Sequence, residues 1–212
     1  GQVYFLREML ASKGESIEGK ACAISGSGNV AQFCAQKVLY YGGKVITMSD
    51  SGGYIFDKDG IDESKLAWIM DLKNNRRGRI KEYVKEYPGA VYHEGKRPWG
   101  EVCDIALPSA TQNEIEEKGA TNLVKNGCMA ISEGANMPTS PAAYAILSKA
   151  GILFGPAKAA NAGGVAVSAL EMSQNAAFDE WTSDKVDSKL DQIMTGIHKQ
   201  CADAAEEYNQ KG

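Results

Sequence analysis

Gly26, Gly28 and Ala31 stand in the order G-x-G-x-x-A within Gly26-Ser27-Gly28-Asn29-Val30-Ala31. These residue types at this spacing suit a cradle for a pyrophosphate. Gly26 permits a tight turn, Gly28 lets the backbone approach the phosphates with no Cβ in the way, and Ala31 lets the next helix lie close to a sheet. Such a cradle needs a strand before it and a helix after it. Ala21–Ser25 is a short apolar run suited to a buried strand, and Asn29–Tyr41 reads as a helix stopped by Gly42-Gly43. The start of that helix offers free N–H groups and partial positive charge to an anion. Asp50 closes the next strand, Lys44–Ser49, and lies 24 residues after Gly26. A ribose-binding acid is expected ~20 residues on. The loop alone leaves other readings open: a methyltransferase also sets a Gly-rich loop and a later acid on an α/β sheet, and a Gly-rich turn can lack a ligand altogether.

A second group of polar residues stands at further strand ends. Ser109-Ala110-Thr111 follow Ile105–Leu107, Asn136 follows Met129–Ser132, and Asn161 follows Ile152–Phe154. In open α/β sheets, ligands bind beyond the carboxyl ends of the strands. Small residues at 109 and 110 would admit a flat ring and its ribose. A carboxamide both donates and accepts. Asn161 stands among small residues, Ala160, Ala162, Gly163 and Gly164, which leave room beside it.

The elements that position these residues alternate along the chain. A helix over Val3–Lys13 precedes the first strand. After Ser49 comes a turn-rich excursion holding Tyr54-Ile55-Phe56 between glycines, and then a helix capped by Asp62 and running to Asn74. Arg77–Tyr87 reads as one further helix, stopped by Pro88-Gly89. Ala90–His93 is another short strand candidate, a helix spans Ser140–Ala150, and Gly163–Gln174 and Asp184–Tyr208 are helical. Alternation of this kind predicts an α/β, Rossmann-like, doubly wound and mostly parallel sheet with helices on both faces.

Composition narrows the class further. A length of 212 residues and 43% hydrophobic content suffice for one large domain with its own core. The net charge of −4, without a run of one sign, argues against a nucleic-acid surface. No apolar stretch nears the ~20 residues of a membrane helix. The opening residues, with Arg7, Glu8 and Lys13, do not read as a signal peptide. Five cysteines without a Cys-x-x-Cys pair suggest reduced thiols in a cytoplasmic protein and no metal site. The chain starts at Gly1 directly in a helical pattern, as a piece of a longer protein would.

Ile105-Ala106-Leu107-Pro108-Ser109-Ala110-Thr111-Gln112-Asn113, Glu133-Gly134-Ala135-Asn136-Met137-Pro138-Thr139, Lys158-Ala159-Ala160-Asn161-Ala162-Gly163-Gly164-Val165 and Glu171-Met172-Ser173-Gln174-Asn175 occur in that order. Together they closely resemble the C-terminal half of hexameric glutamate dehydrogenases, and the resemblance covers nearly the whole chain. It implies reversible oxidative deamination of L-glutamate to 2-oxoglutarate and ammonium. It implies that residues 1–212 form the dinucleotide-binding domain, that helices 1–13 and 184–208 are candidates for the interdomain region, and that the substrate domain lies outside this chain. Gly26, Ser27, Gly28, Asn29 and Val30 would hold the phosphates. Ser109, Ala110, Thr111, Asn136 and Asn161 would face the rest of the cofactor. Ser168, seven residues after Asn161 on the following helix, would reach the substrate's distal carboxylate; a plain packing role is the alternative.

The nicotinamide coenzyme is read from two segments. Asp50 alone suits a ribose 2′-OH and hence NAD. Downstream, Lys73, Arg76, Arg77 and Arg79 cluster, either as a solvated helix end or as a clamp for a 2′-phosphate. Ser49-Asp50-Ser51 with Lys73–Arg79 resembles the NADP-preferring bacterial branch. That implies NADP, with NAD as the alternative, and places Asp50, Ser51, Lys73 and Arg76 at the adenosine end. In the family, a lysine and an aspartate on the substrate domain perform the acid–base steps, and their motifs are not found here. Lys158, His93 and His198 lie in no catalytic constellation, so no catalytic residue is assigned. The expectation is a chain that binds NADP(H) without turnover, a monomer or weak dimer by itself and part of a homohexamer in the full enzyme. A leucine, valine or phenylalanine dehydrogenase domain, or a non-catalytic nucleotide-binding module, remain the alternatives.

Overall fold

Seven short strands, most of them buried on both faces, form one sheet. The computed structural model describes residues 1–208. The chain runs α1 (Gln2–Ala11), β1 (Ala21–Ile24), α2 (Asn29–Tyr40), β2 (Lys44–Asp50), β3 (Gly53–Phe56), α3 (Glu63–Asn74), a 3₁₀ turn (Ile80–Glu82), α4 (Tyr83–Glu86), β4 (Val91–Glu94) and β5 (Ile105–Leu107). It continues with α5 (Glu117–Lys125), β6 (Ala130–Ser132), α6 (Pro141–Lys149), β7 (Leu153–Gly155), α7 (Ala157–Ala160), α8 (Gly163–Ala177) and α9 (Ser183–Glu207). The order across the sheet is β4-β3-β2-β1-β5-β6-β7. All neighbours are parallel except the β2–β3 and β3–β4 pairs. The architecture is α/β with a mostly parallel sheet, as the alternation predicted.

Because side chains alternate along a strand, each strand feeds two cores. Cys22 and Ile24 of β1, and Ile105 and Leu107 of β5, face a core built with α1, α2, α3 and α9. Ala23, Ala106 and Ile131 face the opposite one, closed by α5, α6 and Trp99. Strands with both faces buried must be apolar throughout, which is why these runs were legible.

After β2 the chain leaves for β3 and β4 and then returns to the far side of β1, where Ile24 pairs with Leu107. The loops after β1 and β5 therefore diverge from neighbouring strands. That is the switch point at which such sheets bind ligands.

Three local features differ from expectation. Tyr54-Ile55-Phe56 is not an irregular excursion but strand β3, antiparallel to β2 with Asp50 opposite Gly53. Arg77–Tyr87 is not one helix: Arg77 has φ +54° and Arg79 is extended, so helical structure begins only at Ile80. Helix α5 was not anticipated. Its two faces are sharply divided, with Ala120 and Leu123 fully buried and the opposite side charged, although Gly119 lowers its intrinsic helix propensity. Asp62 caps α3 as expected, its Oδ1 accepting the Lys65 N–H at 2.9 Å. At the ends of the chain, α9 packs on α1, where Arg7 donates two bonds to Asp191 at 2.6 and 3.0 Å and Met194 is fully buried.

Candidate dinucleotide site

The loop after β1 is closed beneath and open above. Gly26 has φ +85°, and a Cβ there would lie 3.0 Å from the Ser109 carbonyl oxygen and 3.3 Å from the Ala31 Cβ. Only glycine fits this position. Its N–H donates to Ser49 Oγ at 2.7 Å, and its carbonyl accepts the Ser49 N–H at 3.0 Å, so the loop is fastened to β2. Buried Gln32 donates to the Ser27 carbonyl at 2.8 Å and exchanges bonds with Asn74 at 3.1 Å. Gly28 begins α2 with extended backbone, and no side chain caps the helix. A Cβ on Gly28 would meet nothing within 4 Å. The protein therefore does not need glycine at 28 for its own packing; the missing side chain leaves open space over the helix start, which fits a pyrophosphate. Asn29 and Val30 are exposed beside that space, and Ala31 is fully buried below it.

At the end of β2, Asp50 is almost wholly enclosed. Its Oδ1 accepts the Gly52 N–H at 2.8 Å, its Oδ2 accepts the Ile80 N–H at 2.9 Å, and Lys73 Nζ stands 3.6 Å from Oδ2. Lys73 also donates to the Gly78 carbonyl at 2.9 Å. Arg79 donates through Nη1 to Ser51 Oγ at 2.8 Å. The structure thus gathers Asp50, Ser51, Lys73 and Arg79. Arg76 is turned elsewhere: its Nε donates to Asp71 at 2.8 Å and its guanidinium lies 4.6 Å over the Trp68 ring. Both carboxylates of this group are bonded to backbone N–H groups, Asp50 to those of Gly52 and Ile80 and Glu82 to that of Arg79, while the exposed Arg79 guanidinium offers a fork that suits a phosphate.

The loops after β5, β6 and β7 meet on the other side of the cradle. Ser109 is buried; its N–H donates to Ser25 Oγ at 2.8 Å, and its hydroxyl lies within donating distance of the Leu107 carbonyl and Gln2 Oε1. The N–H groups of exposed Ala110 and Thr111 both reach Glu114 Oε1, at 3.1 and 3.2 Å. Burial pushes the Glu114 carboxyl above its usual range, against the pull of the Ser25 hydroxyl and those two N–H groups. Gly134 and Ala135 donate to the Pro108 carbonyl, joining the Ser109 and Asn136 loops. Asn161 donates through Nδ2 to Asn136 Oδ1 at 2.9 Å, so the two carboxamides meet although 25 residues separate them. Glu133 is 4% exposed; its Oε1 accepts the Thr139 N–H at 3.2 Å and its Oε2 the Ala157 N–H at 2.7 Å. Burial raises the Glu133 carboxyl as well, with these bonds opposing the shift.

Ser168 sits two turns beyond Asn161 on α8, exposed, with its hydroxyl donating to the Gly164 carbonyl at 3.3 Å. It makes no contact with the carboxamide pair. Sequence reasoning missed Gln2, Gln32, Glu114 and Glu133. Each is a buried polar residue that fastens a loop; a charged or amide residue embedded in an apolar or glycine-rich stretch was the available signal for Gln2, Gln32 and Glu133, whereas Glu114 stands among polar residues. The two histidines lie away from the site: His93 stacks on Tyr54 and His198 meets the edge of Phe5. Among the described residues no group of three or more His, Cys, Asp or Glu side chains can hold a metal ion, and no helix is long and apolar enough to cross a membrane. A groove of about 920 Å³ opens beside Val30, Gly134 and Asn161 and runs toward α9.

Comparison with known proteins identifies the family. The family model described as Glutamate/Leucine/Phenylalanine/Valine dehydrogenase matches residues 1–211. The chain is 58% identical over 201 residues to the NAD(P)-specific glutamate dehydrogenase of Xylanibacter ruminicola, covering 95% of this chain and 45% of that protein. It is 52% identical over 201 residues to the NADP-specific glutamate dehydrogenase of Haemophilus influenzae, covering 95% and 44%. The crystal structure of Plasmodium falciparum glutamate dehydrogenase superposes with a TM-score of 0.96 at 44% identity, over 99% of this chain and 45% of that one. The chain spans less than half the length of these relatives.

Proposed function

The chain belongs to the glutamate/leucine/phenylalanine/valine dehydrogenase family, and from that premise we propose that it is the C-terminal, cofactor-binding domain of an NADP-linked glutamate dehydrogenase. The observation that carries the reading is the order of three anchors along one sheet edge. The open cradle at Gly28 lies between a cationic group on one side and a carboxamide pair on the other. That order matches a dinucleotide with a phosphorylated adenosine at one end and a nicotinamide at the other. The names of relatives at 58% and 52% identity support glutamate as substrate and NADP as coenzyme, and the first also leaves room for NAD.

In this reading, the N–H groups that open α2 bind the pyrophosphate. Lys73 and Arg79 bind the 2′-phosphate, with Ser51 between them and Asp50 holding Lys73 and the 80–82 turn in place. Arg76 stands behind them on Asp71 and is a secondary contributor. Ser109, Ala110 and Thr111 form the floor near the second ribose. Asn136 and Asn161 satisfy one another through one bond and keep an amide N–H and a carbonyl oxygen for the nicotinamide carboxamide. When bound, the nicotinamide supplies the hydride acceptor for oxidation of L-glutamate to 2-oxoglutarate and ammonium. Ser168, exposed on α8, is the residue proposed to take the substrate's distal carboxylate. No residue of this chain is assigned proton transfer, which falls to the remaining half of the enzyme. The full protein is a cytoplasmic homohexamer, and the chain alone is a monomer or weak dimer.

The test is titration of the purified chain with NADPH, followed by incubation with glutamate and NADP. Binding without NADPH formation is expected. Glutamate-dependent NADPH formation by this chain would refute the division of labour, and failure to bind NADPH or NADH would refute the site.

A further inference from the structure

Asn136 and Asn161 belong to different elements, the loop after β6 and the end of α7, yet their carboxamides meet at 2.9 Å. Two flexible side chains on two short segments hold such a contact only if the segments are themselves fixed. The loop from 133 to 139 contains Met137 at φ +45°, a conformation an unbranched L-residue leaves readily when unconstrained. Helix α7 is a single turn, too short to be stable by itself.

One side chain bridges the two. The carboxylate of Glu133 accepts the Thr139 N–H with one oxygen, which closes the loop around Asn136. With the other oxygen it accepts the Ala157 N–H, the first of the turn that ends at Asn161. The Glu133 N–H donates to the Gly155 carbonyl at 3.0 Å, so its own backbone is tied to the end of β7. The side chain is buried and touches neither the cradle nor the cationic group.

We propose that Glu133 is a positioning residue for the nicotinamide end of the site, holding the Asn136 loop and the Asn161 turn in the arrangement that presents both carboxamides. The proposal rests on the dinucleotide reading given above. Its chemistry is specific to a carboxylate. Two N–H groups converge on Glu133, that of Ala157 buried and that of Thr139 half-buried, and a carboxylate offers each an oxygen. A carboxamide of the same shape offers one oxygen and turns an N–H toward the other, donor against donor. Glu133→Gln therefore releases one of the two elements while the volume stays filled.

The test compares two ligands on the chain. NADPH engages the whole site, whereas adenosine 2′,5′-bisphosphate engages only the adenosine side. E133Q is expected to weaken NADPH about tenfold, the usual consequence of losing one well-placed hydrogen-bonding partner, and to leave the bisphosphate within about twofold. Asn136→Ala should give a similar selective loss, and the E133Q/N136A double variant should lose little more than either alone, because both act through the same contact. Unchanged NADPH affinity, an equal loss for both ligands, or full additivity would each overturn the proposal. Should E133Q fail to fold, Glu133→Asp decides in the same way, since its shortened carboxylate withdraws from one N–H group and keeps the charge. If the unaltered chain binds neither ligand, the dinucleotide reading fails and takes this inference with it. If it binds both and the Glu133 variants are unselective, only this inference fails.

Discussion

Replacing Arg79 with alanine tests which basic residues choose the coenzyme. Arg79 is exposed and donates to Ser51 Oγ at 2.8 Å, and Lys73 stands 3.6 Å from Asp50 at the same strand end. A charge-assisted bond from a guanidinium to a phosphate contributes roughly 1.5–3 kcal/mol. Exposure places Arg79 at the lower end, about 1.5 kcal/mol, or roughly tenfold in Kd. NADH has no 2′-phosphate, so Arg79→Ala should change its affinity by no more than about twofold. Arg76→Ala is the control that the geometry supplies. Its guanidinium is already committed to Asp71 and the Trp68 ring, so its removal should weaken NADPH by less than about threefold. Its main effect should be on stability, where a surface cation–π contact contributes about 0.5–1 kcal/mol. The assay is titration of intrinsic and nicotinamide fluorescence at fixed ionic strength, repeated at high salt. The NADPH preference should shrink as salt screens the exposed cations. Equal losses for NADPH and NADH in Arg79→Ala, or a larger selective loss in Arg76→Ala than in Arg79→Ala, would refute the assignment.

Two further outcomes follow from residues around the fold. Gly26→Ala forces a side chain into φ +85° and against the Ser109 carbonyl, and should cost roughly 2–4 kcal/mol. Gly28→Ala, at an ordinary φ with open space around it, should stay within about 0.5 kcal/mol of the parent in thermal unfolding yet lose NADPH affinity by titration; the reverse pattern would sink the reading of the cradle. Asp57 is buried, and although burial works against its charge, the Lys65 ammonium at 2.8 Å and the Tyr83 hydroxyl at 2.7 Å hold its carboxyl below the usual range. Asp57→Asn should therefore cost about 2–3 kcal/mol, or roughly 5–10 °C in Tm. A depressed native pKa gives stability that is full above the unfolded value of about 3.9 and is lost as pH falls through the native one. The gap between parent and variant should accordingly be constant at neutral pH and close only in strong acid; a gap that closes between pH 8 and 6 would contradict the assignment.

The fold was legible where physics acts locally. A strand buried on both faces must be apolar, as at Cys22–Ile24 and Ile105–Leu107, and a helix start over a ligand must lack side chains, as at Gly28. Strand β3 was hidden because its identity depends on pairing with β2 and β4 rather than on its own four residues. The 77–79 turn was hidden because a left-handed Arg77 leaves no compositional trace. In the candidate site, Asp50, Ser109, Asn136 and Asn161 were picked out by their place at strand ends. Direction was not: nothing in the spacing of Arg76 and Arg79 says that one faces Asp71 and the other Ser51. Glu114 and Glu133 escaped because their partners are backbone N–H groups, which every sequence contains.

The antiparallel pair β3–β4 is appended to one margin of an otherwise parallel sheet, and the segment from Gly52 to Trp99 leaves and rejoins the rest of the chain there. Lys73 and Arg79 both lie within it, whereas the cradle and the carboxamide pair lie wholly outside. Under the proposed reading, the residues that hold a dinucleotide and those that select it thus lie on different stretches of polypeptide. The appendage is nonetheless tied to the rest of the site: Asn74 braces the cradle through Gln32, and Trp99 donates to the Glu114 carbonyl at 3.1 Å beside the loop after β5.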